Sequence, residues 1–246
     1  MPHPLRCVAL VFLLYSKNRR PLGECDAKKE EVMIDEIDRF IQKLATTNVP
    51  SNVYNQYSDD YPESSVRRKN LGIYLQHMAN VKPKIMLVGE APGYRGSRLT
   101  GVPFTSEYLL MHNKGGLILF GEENGYQLPI EKEKLLKEAT ATIIWETMLK
   151  EELVFLSWNA FPFHPHRINE EKSNRMPTKK ELMIGEVFLL DLVRLYQIEE
   201  IITMGNKAYE SLTKLGIKCQ KVRHPAQGGK KEFVAGVKQI KENLKQ

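Results

Sequence analysis

KIMLVGEAPGYRG, residues 84–96, is the stretch on which the reading of this chain turns. Ile85-Met86-Leu87-Val88 is an uninterrupted apolar run, the pattern of a short strand buried on both faces of a parallel sheet. Gly89-Glu90-Ala91-Pro92-Gly93 stops it at once, because glycine and proline favour a tight turn over a continued strand. A carboxylate at the mouth of a buried strand has two readings. Glu90 either accepts hydrogen bonds from the turn's own amides or faces a ligand, since open α/β sheets bind ligands beyond the carboxyl ends of their strands.

Outward from this stretch, strand patterns recur at Leu153–Trp158, Glu200–Met204 and Lys218–Val222. Helical periodicity covers Met33–Ala45, Val66–Met78, Ala139–Glu151, Lys207–Lys214 and a basic C-terminal segment. Thr178-Lys179-Lys180-Glu181 is a capping box that opens a further helix reaching Tyr196. Alternating helices and strands predict an α/β fold, a three-layer α/β/α domain around a central, mostly parallel four-stranded sheet. That single domain is assigned to residues 31–246.

Four strand ends then matter: Gly89–Gly93, Asn159-Ala160-Phe161-Pro162, Gly205-Asn206 and His224-Pro225-Ala226-Gln227. They offer a carboxylate, a carboxamide and an imidazole, and are expected to converge on one pocket. Each residue alone has a plain structural alternative. Asn159 tolerates unusual backbone angles and can cap a loop, and His224 can be a satisfied surface histidine. His164-Pro165-His166 has the look of a metal pair, but no third ligand of matching spacing lies nearby, so no metal is expected. The GxGxxG and GxxxxGK[ST] fingerprints are absent, which removes the usual support for dinucleotide and P-loop readings.

The 246 residues, 42% hydrophobic and 27% charged, fit a soluble globular protein. The net charge of +6 is unevenly spread: from Gly205 onward ten basic residues face three acidic ones, a local +7. A basic end suggests a polyanionic partner, while a solvated lysine-rich helix explains the same charge. Cys7, Cys25 and Cys219 form no CxxC pair, which disfavours a disulfide framework and fits a reducing compartment. Cys7–Tyr15 is apolar but falls short of the roughly 20 residues that span a bilayer. No small-residue cleavage site follows it before Lys17-Asn18-Arg19-Arg20. Residues 1–30 are set apart as an N-terminal extension that the fold does not require.

Taken in order, the motifs from Lys84 to the C-terminus resemble the uracil-DNA glycosylase superfamily. Gly89-Glu90-Ala91-Pro92-Gly93 matches the first catalytic motif as the family-four, iron–sulfur branch carries it. Gly101-Val102-Pro103-Phe104 matches the segment whose aromatic ring stacks on uracil. Asn159 stands where the uracil-reading asparagine follows its strand. Asn174-Arg175-Met176-Pro177-Thr178 resembles the stretch leading into the next helix, and Met204-Gly205-Asn206-Lys207-Ala208 the branch's strand-to-helix turn. His224-Pro225-Ala226 matches the second catalytic motif. Two departures stand out. Phe163 occupies a position where the branch has a cluster cysteine, so no iron–sulfur cluster is expected. Gln227-Gly228-Gly229-Lys230-Lys231 replaces the usual bulky apolar wedge, so Gln227 fills the gap in the DNA stack or another loop does.

The resemblance implies an enzyme of base excision repair that hydrolyses the N-glycosidic bond of a flipped-out uracil and leaves an abasic site. It makes Glu90 and His224 catalytic, and assigns base binding to Gly89, Ala91, Gly93, Phe104 and Asn159. Arg95, Ser97, Asn206, Gln227, Lys230 and Lys231 are the candidate DNA contacts. The expectation is a monomer acting on single- or double-stranded DNA in the cytoplasm, at the nucleoid, with no membrane contact and no cofactor. Rival readings are a glycosylase for hypoxanthine or mismatched thymine, and a non-catalytic nucleic-acid-binding relative.

Overall fold

The computed structural model describes residues 24–112, 119–130 and 133–243. Helix α1 (Glu24–Ala45) leads through a two-residue strand, β1 (Val53–Tyr54), to α2 (Ser64–Val81) and β2 (Ile85–Gly89). Two short helices follow, α3 (Ser97–Thr100) and α4 (Glu107–Met111), then α5 (Ala139–Glu151), β3 (Phe155–Asn159) and β4 (His164–Pro165). The chain closes with α6 (Lys179–Leu195), β5 (Glu200–Met204), α7 (Gly205–Lys214), β6 (Gln220–Val222) and α8 (Lys230–Asn243).

Strands β3, β2, β5 and β6 form, in that order, a four-stranded sheet in which every pairing is parallel. Helices flank it, giving the three-layer α/β arrangement. All four carboxyl ends therefore emerge along one edge of the sheet. Strand β2 is internal and buried from end to end, which is why its sequence runs apolar without alternation. Strand β6 lies at the sheet edge and exposes Gln220 and Lys221, a charged edge that discourages further pairing.

The boundaries differ from the sequence pattern for local reasons. Helix α1 begins at Glu24, nine residues before the expected Met33, because its first turns carry charged residues such as Lys28, Lys29, Glu30 and Glu31 without an apolar stripe. The expected domain boundary at residue 30 falls inside this helix, and residues 1–23 lie outside the described residues. Strand β3 starts at Phe155 because Leu153 still serves the end of α5, its N–H donating to the Met148 carbonyl at 3.1 Å. A small antiparallel ribbon was not expected: Val53 pairs with Pro165 and Tyr54 with His164. Two residues per strand are too few to show a period.

Helix α6 starts as its capping box dictates. Glu181 N–H donates to Thr178 Oγ1 at 3.3 Å, and Thr178 N–H to Glu181 Oε2 at 2.7 Å. Gly185 seats this helix directly on the segment after β3. A Cβ there would lie 1.9 Å from the Ala160 carbonyl oxygen, so only glycine permits the approach.

Candidate active site

A pocket of about 430 Å³ opens at the carboxyl edge of the sheet, and every strand end contributes to its wall. Its floor is set by the parallel register that places Gly89 of β2 beside Asn159 of β3. The ladder continues past the strands: Ala160 N–H donates to the Gly89 carbonyl at 2.8 Å, and Phe161 N–H to that of Glu90 at 3.0 Å. These bonds hold the Glu90 turn to the segment that carries Asn159.

Gly89 leaves room for a narrow slot. A Cβ on it would meet the Phe104 ring at 2.7 Å and Asn159 Oδ1 at 2.8 Å, so ring and carboxamide close over its bare Cα. Phe104 has a positive φ of 52°, a conformation that costs a non-glycine residue about 1–3 kcal/mol. Trp145 helps to hold it, its indole N–H donating to the Phe104 carbonyl at 2.8 Å. Asn159 is 3% exposed and lines the slot from the other strand.

Glu90 lines the same pocket, and its Oε1 is buried with no hydrogen-bond partner among the described residues. Burial pushes its carboxyl above the ordinary range; the Lys207 ammonium opposes that rise and Glu210 adds to it. Ala226 N–H donates to Nδ1 of His224 at 3.1 Å. A ring nitrogen that accepts carries no proton, so neutral His224 holds its proton on Nε2. Burial, and then the Arg223 charge, lower the pKa of this imidazole and favour that neutral form. The pocket thus joins a carboxylate, a neutral imidazole donor and an aromatic–carboxamide slot.

The family model described as the uracil DNA glycosylase superfamily matches residues 76–241, which include all of these groups. This chain belongs to the uracil-DNA glycosylase superfamily. A search of curated proteins finds no match. Membership places the chain among proteins of DNA-glycosylase type, with DNA as the partner. Among the described residues no helix is long and apolar enough to cross a membrane.

Of the residues expected from sequence, this superfamily member brings Gly89, Glu90, Ala91, Gly93, Ser97, Phe104, Asn159, Asn206, His224 and Gln227 into the one pocket. Arg95, Lys230 and Lys231 lie outside its lining and are exposed. The Arg95 guanidinium sits over the Tyr94 ring at 5.2 Å, and Lys230 is 3.5 Å from Glu146. Lys207 and Arg223 line the pocket and were not expected; Lys207 directly follows the Gly205-Asn206 strand end and Arg223 directly precedes His224, so widening each strand end by one residue would have found them. Glu138 and Thr140 also line it, and no strand-end rule reaches them, since they stand at the start of α5.

Phe163 is fully buried and packs edge-on against Phe161 and Phe188, with ring centroids 5.5 and 5.8 Å apart. His164 and His166 stack at 5.9 Å, and both nitrogens of His164 face backbone carbonyls, Pro92 at 2.7 Å and Glu171 at 3.1 Å. His164 thereby ties β4 to the Glu90 turn. Among the described residues no three His, Cys, Asp or Glu side chains are grouped to hold a metal ion.

Proposed function

We propose that this superfamily member is a uracil-DNA glycosylase, hydrolysing the N-glycosidic bond of a uracil nucleotide turned out of the DNA stack. The observation that carries the reading is the pairing of Glu90 with an imidazole whose tautomer is fixed by Ala226 N–H, in one pocket with the Phe104–Asn159 slot. Extruding the nucleotide costs a few kcal/mol, offset by stacking and hydrogen bonds to the base edge. Phe104 supplies the π face. Asn159 presents a donor and an acceptor that suit uracil O4 and N3–H and mismatch the amino edge of cytosine.

Bond breaking leaves positive charge on the sugar and negative charge on the departing ring. His224 Nε2–H stabilises the anion at O2 in the manner of an oxyanion-hole donor. Glu90 faces the cationic sugar and orients or deprotonates the attacking water. The start of α7 and Ser97 offer donors for the flanking phosphates.

The test is abasic-site formation on oligonucleotides carrying uracil, hypoxanthine, xanthine or thymine opposite each partner base. Uracil is expected to react fastest. Glu90→Gln keeps the shape and removes the charge, so single-turnover cleavage should fall about 10²–10³-fold with DNA affinity within a few fold. Retained activity in Glu90→Gln would make the carboxylate structural and defeat the mechanism.

A further inference from the structure

The Glu90 turn is held from two sides, and the second of them lies outside the pocket. Glu90 Oε1 is buried with no hydrogen-bond partner among the described residues, so the backbone of the turn sets where the carboxylate stands. Before Pro92 the segment after β3 grips that backbone, through the Ala160 and Phe161 N–H groups that donate to the Gly89 and Glu90 carbonyls. Pro92 has no N–H to continue the ladder. From there two side chains of β4 and the loop after it take over. His164 places Nδ1 2.7 Å from the Pro92 carbonyl oxygen, and Asn174 Oδ1 accepts from Tyr94 N–H at 3.1 Å.

His164 is fully buried where β1, β4, α3 and that loop meet. Strand β4 brings it there by pairing it with Tyr54 of β1. The Arg98 guanidinium of α3 lies 4.4 Å from the centre of the Tyr54 ring and 3.6 Å from the Glu171 carboxylate. Glu171 in turn sets its carbonyl oxygen 3.1 Å from His164 Nε2. Both ring nitrogens thus face acceptors, and a neutral imidazole has one N–H to give. The shorter contact is to Pro92, which places the proton on Nδ1. Burial lowers the pKa of this ring against the pull of the two carbonyls, and Arg98 and His166 lower it further, so the neutral form is favoured.

We propose that His164, with Asn174 as a second pin, is a positioning residue for the glycosylase reaction: its Nδ1–H holds the Pro92 carbonyl and so fixes Glu90 against the sugar. The proposal rests on the glycosylase reading and deepens it. A carboxylate with no hydrogen bond of its own moves with its turn, and a displacement of about 1 Å is enough to cost about 10²-fold in rate. Slack in the turn leaves DNA binding largely intact, because the candidate phosphate donors at Ser97 and the start of α7 lie on other elements. The β1–β4 ribbon thereby acquires a part in the chemistry, although none of its residues lines the pocket.

Side-chain amides separate the two ring contacts, because the amide nitrogen of asparagine stands near the place of histidine Nδ1 and that of glutamine near the place of Nε2. His164→Asn therefore keeps a donor for Pro92, and His164→Gln keeps one for Glu171. Single-turnover cleavage at saturating enzyme and DNA affinity are measured on uracil oligonucleotides. His164→Gln should lower the cleavage rate about 10–10²-fold with affinity within a few fold, while His164→Asn stays within a few fold of wild type. Asn174 is exposed and carries the same test where a variant of the buried histidine does not fold. Asn174→Ala should lower the rate about 10-fold, and Asn174→Asp, which keeps the acceptor, should restore it. The Glu90 carboxyl titration, followed by NMR, gives a readout apart from activity. Burial raises that pKa in the wild type, so it should fall toward the ordinary range in His164→Gln and not in His164→Asn. Equal rates in the two histidine variants, a loss carried by affinity alone, or a wild-type rate in Asn174→Ala overturns the proposal. Uracil cleavage by wild type shows separately whether the glycosylase reading stands; if it does not, the Glu90 titration still decides whether His164 holds the turn.

Discussion

Glu90 must be ionised and His224 neutral for the proposed chemistry, so both fail on the acid side. Folding raises the first pKa, chiefly by burial, and lowers the second, by burial and the Arg223 charge. Uracil cleavage should then fall towards acid pH as either group takes up a proton. Arg223 contributes to the low pKa of His224. Arg223→Ala should move the histidine's part of the acid limb to higher pH, read from the kcat/KM profile; an unmoved limb would assign it to Glu90 alone. Gly93 tests base choice at the same scale. A Cβ there comes no closer than 4.0 Å to the surrounding groups, the nearest being Asn174 Oδ1, so a larger side chain has room at this position. One methyl group is worth about 1–3 kcal/mol. Gly93→Tyr is expected to abolish any cleavage of T·G mispairs and to keep part of the activity on U·G, measured on matched duplexes. Loss of both to the extent seen in Glu90→Gln would mean that Gly93 serves close backbone approach to DNA instead.

Among the elements, α6 positions Asn159 from behind. Its Gly185 sits against the Ala160 carbonyl, and its first turn is tied through Glu181 to Arg175, whose guanidinium also donates to the His166 carbonyl at 2.9 Å. Backbone cannot yield as a side chain tip does. Gly185→Ala should therefore cost about 1–3 kcal/mol, the range for overpacking, read as a lower urea midpoint. It should also lower uracil cleavage, because separating α6 from β3 shifts Asn159 relative to Phe104. A variant of wild-type stability would show that α6 has room to move off the Ala160 carbonyl at little cost.

For the molecule as a whole, the basic C-terminal segment bears on DNA affinity. Lys230 and Lys231 are exposed and outside the pocket, and the Lys230–Glu146 pair at 3.5 Å is of the surface kind that contributes about 0–1 kcal/mol. Reversing the charge of both lysines should weaken binding to all sequences alike. It should also flatten the log–log salt dependence by about 1 for each lysine that pairs with a phosphate in the wild type. An unchanged slope would move the DNA track to another face.

The parallel sheet, the capping box at Thr178 and the turn after Val88 were legible because each is a pattern of neighbours in the chain. Their signals are an apolar run, a spacing of three and a glycine–proline break. Residues at strand ends were legible for a related reason: parallel strands carry all their carboxyl ends to one edge, so Glu90, Asn159 and His224 meet wherever such a sheet forms. Other facts arise from groups far apart in sequence, and no local period records them. The closure of Phe104 and Asn159 over Gly89, the seat of Gly185 on Ala160 and the β1–β4 ribbon are of this kind. The His224 tautomer depends on how one loop turns its Ala226 amide. Glu138 is the clearest case: a glutamate before a helix reads as solvent-facing, yet in the fold its carboxyl lies over the bare Cα of Gly96 in the pocket wall, and burial raises its pKa. Sequence determines which groups are available at the sheet edge; burial, which exists only in the folded chain, decides which of them carry charge.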